Sequence, residues 1–429
     1  MRISLSEQSM LKSFVKFVSW LWILLFLIQS NSVYYVSYNT NVKKMVTLFS
    51  LIVLIASFFI IILAILLKQM NIIRLILSVL IFVIIFIFFY WGSSVTGAEW
   101  TSFDIYTYWI LLLIFFLWNI LLKKLCLENY LFVSFKKIVL IYAELSLFMW
   151  VGCSVFSIFH TSNQILINWG SIHAVPIYFH LYAQSQDAIN FLGINFIRNT
   201  GFFAEAPMYS FVLSIALLIN VFIENKFNLS TFILMLTIFT TASTTGTLTI
   251  LIILVIKLNQ YLLKSKYRNI LLPLIFLVIL FGTAFFAYIT FLKFEQGSGS
   301  VSVRINDFEA GYKTWIQHPI FGVGMSNDIE IIKNMNPARW FYVGHIGNTG
   351  YSSGFMKFLA GGGIMYVFLY LLVPILFSMF MFIRHRDIKW AIPMTIAFLL
   401  IISLVNNLFL FIYIISWMWS NIFYEEGKA

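Results

Sequence analysis

Long apolar stretches, about a dozen of them, take up most of this chain and are parted by short charged loops. Each approaches the ~20 residues that a helix needs to cross the ~30 Å hydrocarbon core of a bilayer. Of 429 residues, 61% are hydrophobic and only 10% are charged, so one soluble core could not bury the apolar surface. A bilayer can accept it, because a helix satisfies its own backbone hydrogen bonds. The sequence therefore predicts an all-α, polytopic helical membrane protein, a single integral domain over residues 1–429. Its chemistry must sit where polar residues interrupt the apolar pattern.

The predicted spans are Phe14–Gln29, Met45–Leu67, Leu75–Trp91, Tyr106–Leu122, Ile138–Phe159, Met208–Ile223, Leu229–Ala242, Thr247–Leu263, Ile270–Phe291 and Phe355–Phe382. A final apolar tail, Trp390–Phe423, is too long for one span and divides at Asn406 and Asn407, which makes twelve in all. Orientation follows from lysine and arginine placement. With the N-terminus in the cytoplasm, the inner loops hold Lys68 and Arg74, then Lys123, Lys124, Lys136 and Lys137, then Lys264, Lys266 and Arg268, then Arg384, Arg386 and Lys389. Twice as many of the 27 basic residues then fall inside as outside, and both termini are cytoplasmic.

The net charge of +11 needs no nucleic acid to explain it, since most of the excess lines the rim facing anionic lipid headgroups. Gln29–Ser32 offers no small-x-small cleavage site, so the first stretch reads as an uncleaved span and not a signal peptide. Cys126 and Cys153 are too few and wrongly spaced for a disulfide framework or a metal site.

Two outer segments are much longer than their neighbours, about His160–Pro207 and about Leu292–Ser353, and segments of such length are functional more often than connective. The first ends in Arg198-Asn-Thr-Gly201-Phe-Phe-Ala-Glu205-Ala-Pro207, directly before a span. Arg198 reads either as a functional cation at the membrane boundary or as an anchor that snorkels to headgroups. Glu205 reads either as an acid-base group or as a partner for an arginine.

The second segment places Ile305, Phe308, Tyr312 and Trp315 on one helical face, which predicts a helix lying on the membrane with its aromatics down, or a cap over the bundle. Arg304 starts that helix, His318 ends it, Pro319 stops it, and Gly322 and Gly324 make a tight turn. His345, Asn348 and Tyr351 follow, just ahead of a span that contains Gly361-Gly362-Gly363. A histidine at the boundary fits a general base near neutral pH and fits a satisfied interfacial residue equally. The glycine run allows close backbone approach. Thr240-Thr-Ala-Ser243-Thr244-Thr245-Gly246 joins two spans as a hairpin whose hydroxyls suit structural packing.

In this order the features resemble the O-antigen polymerase and ligase superfamily of bacterial surface-polysaccharide assembly, whose members have ten to fourteen spans and two conspicuous outer loops. Arg198-x-x-Gly201-x-x-x-Glu205 is similar to the polymerases' arginine-glycine-glutamate element, and Ser243-Thr244-Thr245-Gly246 to the family's serine-arginine-x-glycine hairpin. Arg304, Trp315, Pro319, Gly322 and Gly324 match its arginine-tryptophan-proline-glycine-x-glycine pattern, and His345 with Asn348 its histidine-asparagine pair. Two departures stand out. Thr244 replaces the hairpin arginine, so a phosphate contact there must come from another residue such as Arg198. His345 and Asn348 are separated by two residues, where the ligases have the pair adjacent. That favours polymerase over ligase.

The resemblance implies glycosyl transfer between undecaprenyl-diphosphate-linked oligosaccharides at the outer face of a bacterial cytoplasmic membrane, with lipid, a flippase and a chain-length regulator as partners. It implies no cofactor and no metal. Arg198 and Arg304, then Arg339, are expected to hold the diphosphate, because a planar guanidinium grips oxyanions bidentately and keeps its charge. His345 or Glu205 would supply the base, and Trp315, His318, Asn348 and Tyr351 would bind substrate. A ligase is the near alternative. A transporter or flippase is the distant one; it would line a pathway with charges inside its spans, and Glu144 is the main residue of that kind.

Overall fold

The protein is described from a computed structural model. It describes residues 5–264 and 298–423, apart from 68, 71, 170, 187, 192–193, 340, 343–344, 347–349, 386–390, 403–404 and 406; between 265 and 297 only positions 273, 277, 280 and 284 are described. The helices in chain order are α1 (Leu5–Gln29), α2 (Asn41–Leu66), α3 (Ile72–Val95), α4 (Ser102–Lys124), α5 (Tyr130–Val155), α6 (Ala206–Ile223), α7 (Leu229–Thr240) and α8 (Thr244–Lys264). They continue with α9 (Ser298–Gln317), α10 (Asp328–Lys333), α11 (Gly354–Met381), α12 (Ala391–Ile402) and α13 (Phe409–Phe423).

Among the described residues, eight helices are long and apolar enough to cross a membrane, and α7 and α13 are shorter apolar helices. The tight α7–α8 pair and the division of the tail between α12 and α13 fall where the sequence puts them. The predicted span Ile270–Phe291 lies outside the described residues, isolated positions aside. One boundary moves. The fifth helix begins at Tyr130 and not at Ile138, so Lys136 sits inside a helix, where it is buried and paired with Glu224 at 2.6 Å. An opposite charge with good geometry is what makes a buried lysine tolerable.

Helices α2 and α3 expose large apolar side chains along their length, among them Leu48, Ile52 and Phe59, and Leu77, Ile84 and Ile87. Water would penalise such surfaces heavily, whereas lipid would not. The outer segments add short strands: β1 (Asn163–Trp169), β2 (Ser171–Tyr178), β3 (Tyr182–Ala183), β4 (Ile189–Phe191), β5 (Ile194–Phe196), β6 (Phe341–Tyr342) and β7 (His345–Ile346). They are all antiparallel where their register is fixed, with Tyr178 opposite Tyr182, Asn190 opposite Asn195, and Tyr342 opposite His345.

The chain divides into two compact units. The first comprises residues 1–135, 166–173 and 307–429. Its centre is aromatic: Trp22, Phe26, Phe115 and Tyr413 meet with ring centroids 4.7–6.2 Å apart. The buried Asn119 amide is satisfied there, donating to Phe115 O and Ser416 Oγ and accepting from the Tyr413 hydroxyl at 2.9 Å. The second unit comprises residues 136–165 and 174–306. It packs α6 against α7 and α8, with a small cluster of Met149, Cys153, Tyr178 and Tyr182 beneath the β2–β3 hairpin.

Within each unit, ends assigned to one side of the membrane meet ends assigned to the same side. On the predicted outer side, Gln29 bonds the backbone of Asn407 and Phe409, and Tyr38 N–H donates to Leu166 O at 2.8 Å. On the predicted inner side, Lys123 reaches Ser420 O at 3.0 Å and Lys257 reaches Asn225 at 2.7 Å.

Candidate functional site

In the second unit, two sequence motifs that lie far apart in the chain come together. The hairpin between α7 and α8 leaves the carbonyls of Thr240 and Thr241 outside the helical ladder, and such groups need partners when buried. The segment before α6 supplies them. Asn199 N–H donates to Thr240 O at 2.9 Å, and Arg198 Nε–H donates to Thr241 O at 2.9 Å. The Asn199 side chain adds bonds to Thr240 Oγ1 at 3.1 Å and to Ser146. On its other edge the segment is tied to β3, where Ala183 N–H donates to Gly201 O at 2.6 Å and the Thr200 hydroxyl donates to Ala183 O.

Gly201 is required at its position. Its φ of +58° is left-handed, and a Cβ would come within 2.9 Å of the Tyr142 hydroxyl and 3.2 Å of the Tyr209 ring. Gly246 in the hairpin is required by contact alone, since a Cβ there would lie 2.0 Å from Ser210 Oγ. The hairpin hydroxyls serve packing, as the sequence suggests: Thr240, Thr241 and Thr247 each donate back to a helical carbonyl, at 2.7, 2.6 and 3.0 Å.

Arg198 is thus partly buried with the plane of its guanidinium fixed by the Thr241 carbonyl. Burial pulls its pKa down to about 10; Glu205 pushes it back up, and Arg304 lowers it further. It remains a cation at neutral pH. Glu205 is partly buried in extended conformation at the N-cap of α6, where its backbone carbonyl accepts from Met208 and Tyr209. Arg304 lies exposed on α9. The three expected charges Arg198, Glu205 and Arg304 are therefore electrostatically coupled. Glu144, the acid expected inside a span, is exposed on α5.

In the first unit, α9 meets the rest of the chain through small residues. Asp307, Ala310, Gly311 and Thr314 are buried on one stripe, while Ile305, Phe308 and Tyr312 are exposed on the aromatic face predicted from the sequence. The helix begins at Ser298, so Arg304 lies inside it and does not start it as expected. His318 ends it as expected: its N–H bonds Thr314 O and Trp315 O, and the Trp315 indole donates to Pro319 O at 3.1 Å.

Arg339 is spent on Asp307. The ion pair is 2.6 Å long between a side chain 8% exposed and one 0% exposed, and a second arm of Arg339 donates to Gly350 O at 2.8 Å. The other Asp307 oxygen accepts from Ser352 N–H at 2.9 Å and from its hydroxyl, and Tyr351 OH donates to the Asp307 backbone at 2.7 Å. Burial and the neighbouring carboxylate push the Tyr351 phenol well up, while Arg339 opposes them. Arg339 and Tyr351, expected to bind substrate, are therefore joined in a network that pins the loop before α11. His345 pairs through its backbone with Tyr342 in the β6–β7 hairpin, and Asn348 lies outside the described residues.

The Pro319–Gly324 turn and the Gly361–Gly363 run prove to be one structure. Helix α11 is interrupted at Gly363, with φ +66° and ψ −171°. The freed carbonyls of Ala360 and Gly361 accept from Val323 N–H at 3.0 Å and Gly324 N–H at 2.8 Å. In return, Ile364 and Met365 N–H donate to Pro319 O and Ile320 O at 2.9 and 3.2 Å. A helix broken within a bilayer needs its backbone groups satisfied by protein, and this turn satisfies them. Backbone touches backbone here: a Cβ on Gly363 would lie 2.2 Å from Ile320 O, and one on Gly322 would lie 2.4 Å from Gly361. Among the described residues, no three His, Cys, Asp or Glu side chains are grouped to hold a metal ion.

Residues 229–371, one third of the chain, match the model of the O-antigen ligase family. The match supports the resemblance of this chain to the O-antigen ligase and polymerase superfamily. The matched region runs from α7 into α11 and takes in the hairpin, Arg304, the Asp307–Arg339 network and the stitched break at Gly363. Arg198 and Glu205 precede it. No curated protein and no solved structure matches the chain. Members of the matched family are glycosyltransferase-like ligases or polymerases that act on lipid-linked polysaccharide in a membrane.

Proposed function

We propose that the protein is a polymerase that joins undecaprenyl-diphosphate-linked oligosaccharide repeat units at the outer face of a bacterial cytoplasmic membrane. The observation that carries this reading is the partly buried Arg198, fixed on the hairpin carbonyl and coupled to Arg304 and Glu205. In the reaction, a hydroxyl of the acceptor repeat attacks the anomeric carbon of the donor chain, the glycosyl–oxygen bond breaks, and lipid diphosphate leaves. Negative charge grows on that leaving group, and fixed guanidinium groups stabilise it where charge develops. Arg198 supplies a desolvated cation that is already oriented, Arg304 an accessible second one. Glu205 or His345 takes the acceptor's proton. The energy resides in the glycosyl diphosphate itself, so neither a nucleotide nor a metal is required.

The near alternative is ligation of the finished chain to a different acceptor, supported by the matched family's own description as O-antigen ligase. What favours polymerase is that His345 and Asn348 are not adjacent but separated by two residues.

The test is chain extension of lipid-linked repeats by purified protein in excess chelator. A charge-assisted contact is worth ~1.5–3 kcal/mol, or roughly 10- to 150-fold in rate when made chiefly in the transition state. Arg304→Ala should abolish visible extension at normal expression. Arg304→Lys keeps the charge but loses the fork and should leave shorter chains. Wild-type chain length in Arg304→Lys would return Arg304 to a membrane anchor, and a requirement for added magnesium or manganese would remove the metal-independent mechanism.

A further inference from the structure

The first unit contains a cavity of about 390 Å³ that the reaction above does not use. Its size is in the range of small-ligand pockets, roughly 300–1,000 Å³. It opens among helix ends and loops assigned to the outer side, between the start of α4, helix α10 and the first turn of α11.

Its charges argue against an anionic occupant. Asp104 and Asp328 line it, with Lys357 as the one cation among the lining residues. Lys357 is buried one turn into α11 and ion-paired with Asp328, whose own side chain is 65% exposed. Asp104 is buried and holds the wall together, accepting from Ser326 Oγ at 2.6 Å, Thr101 N–H at 3.0 Å and the Thr101 hydroxyl at 2.9 Å. Arg339, the guanidinium closest in sequence to the lining residue Gly350, is committed to Asp307. Two carboxylates against one paired ammonium would repel a diphosphate.

The same wall suits hydroxyl groups. Asn168 and Asn407 are exposed at the lining and carry donors and acceptors together, as each sugar hydroxyl does. Asp328 offers carboxylate oxygen to hydroxyl donors, and such bonds are stronger than neutral ones. Phe103 and Tyr108 add apolar surface for the C–H faces of a pyranose ring.

We propose that this cavity binds a neutral saccharide, the sugar part of a repeat unit without its diphosphate, through Asp328, Asn168 and Asn407. The source of that saccharide rests on the glycosyl-transfer reading; the charge and shape of the cavity do not.

The test is calorimetric binding by the full-length protein in detergent. The probe is a single repeat-unit oligosaccharide released by partial acid hydrolysis of the producing cells' own polysaccharide. Wild type should bind saturably. Ile332→Trp, which fills the cavity from α10, should weaken binding at least about tenfold, and Asp328→Asn about tenfold. If Ile332→Trp does not elute as a folded species, Asp328→Asn decides. A large excess of inorganic pyrophosphate should leave the saccharide in place. No binding by wild type, wild-type affinity in Asp328→Asn, or displacement by pyrophosphate would each overturn the proposal. The two readings fail separately. Loss of chain extension in Arg304→Ala with undiminished saccharide binding in Asp328→Asn removes the cavity alone. Asp328-dependent binding by a wild type that extends no chains removes the polymerase alone.

Discussion

Replacing Asp307 with Asn should destabilise the protein more than any surface substitution on α9. Asp307 is fully buried and Arg339 nearly so, at 2.6 Å, and Ser352 fills the second carboxylate oxygen. Asparagine keeps the shape but removes the charge, leaving the guanidinium buried without its counter-ion. Breaking one side of a buried pair costs about 3–5 kcal/mol. At ~2 °C per kcal/mol, the low end for domains of 150–250 residues, the expected fall in Tm is roughly 6–10 °C. Intrinsic fluorescence of the detergent-solubilised protein, which has 13 tryptophans, reads this directly. Arg339→Met should cost a similar amount, whereas Asp307→Leu with Arg339→Met should regain most of it, because an apolar pair can replace a buried ion pair of similar volume. Additive losses in the double variant, or a Tm for Asp307→Asn within ~2 °C of wild type, would refute the reasoning. The double variant also decides what Arg339 does. If it folds and extends chains fully, Arg339 has no part in substrate binding.

Gly363→Ala should cut the yield of folded protein sharply, because the new Cβ meets both a left-handed φ and the Ile320 carbonyl at 2.2 Å. Gly97→Ala is the control: its φ is +73° with nothing within 4 Å, so strain alone should cost ~1–2 kcal/mol, measured as a small Tm shift. The membrane orientation predicts that, in a Cys126→Ser background, Asp187→Cys reacts with an impermeant thiol reagent from outside, with spheroplasts used where an outer membrane blocks access. Asp387→Cys should react only after permeabilisation, and labelling of Asp387→Cys from outside would invert every outer-face assignment.

The membrane-spanning pattern is legible because lipid imposes one rule along the whole chain. Apolar runs become helices, and even the division of the tail at Asn406 and Asn407 is reproduced by α12 and α13. Boundaries are less legible where a charge is paired. Lys136 looks like a loop residue until Glu224, far along the chain, is seen to neutralise it. Strands β3 to β7 escape a reading of periodicity because two or three residues leave no period to read, whereas β1 and β2 are long enough to have shown one.

At the site, the sequence singles out both Arg198 and the threonine-rich hairpin but cannot reveal that one binds the other's carbonyl. It likewise presents the Pro319–Gly324 turn and the Gly361–Gly363 run as separate features, although they share four backbone hydrogen bonds. Arg339 reads as a ligand because a lone guanidinium attracts that reading; the partner that claims it, Asp307, lies 32 residues earlier. Lys357 is absent from the candidates named on sequence, despite a usable signal. An ionisable residue one turn inside an apolar span is rare enough to be noticed on sequence alone.

Gel banding of surface polysaccharide after deletion of the gene tests the central claim most directly. Loss of the ladder with a single attached repeat unit remaining is the result predicted for a polymerase, and wild-type protein should restore the ladder where Arg304→Ala at equal expression does not. Loss of every attached repeat would assign the protein to ligation, and lipid-linked units stalled at the inner face would make it a flippase; either pattern would contradict the account.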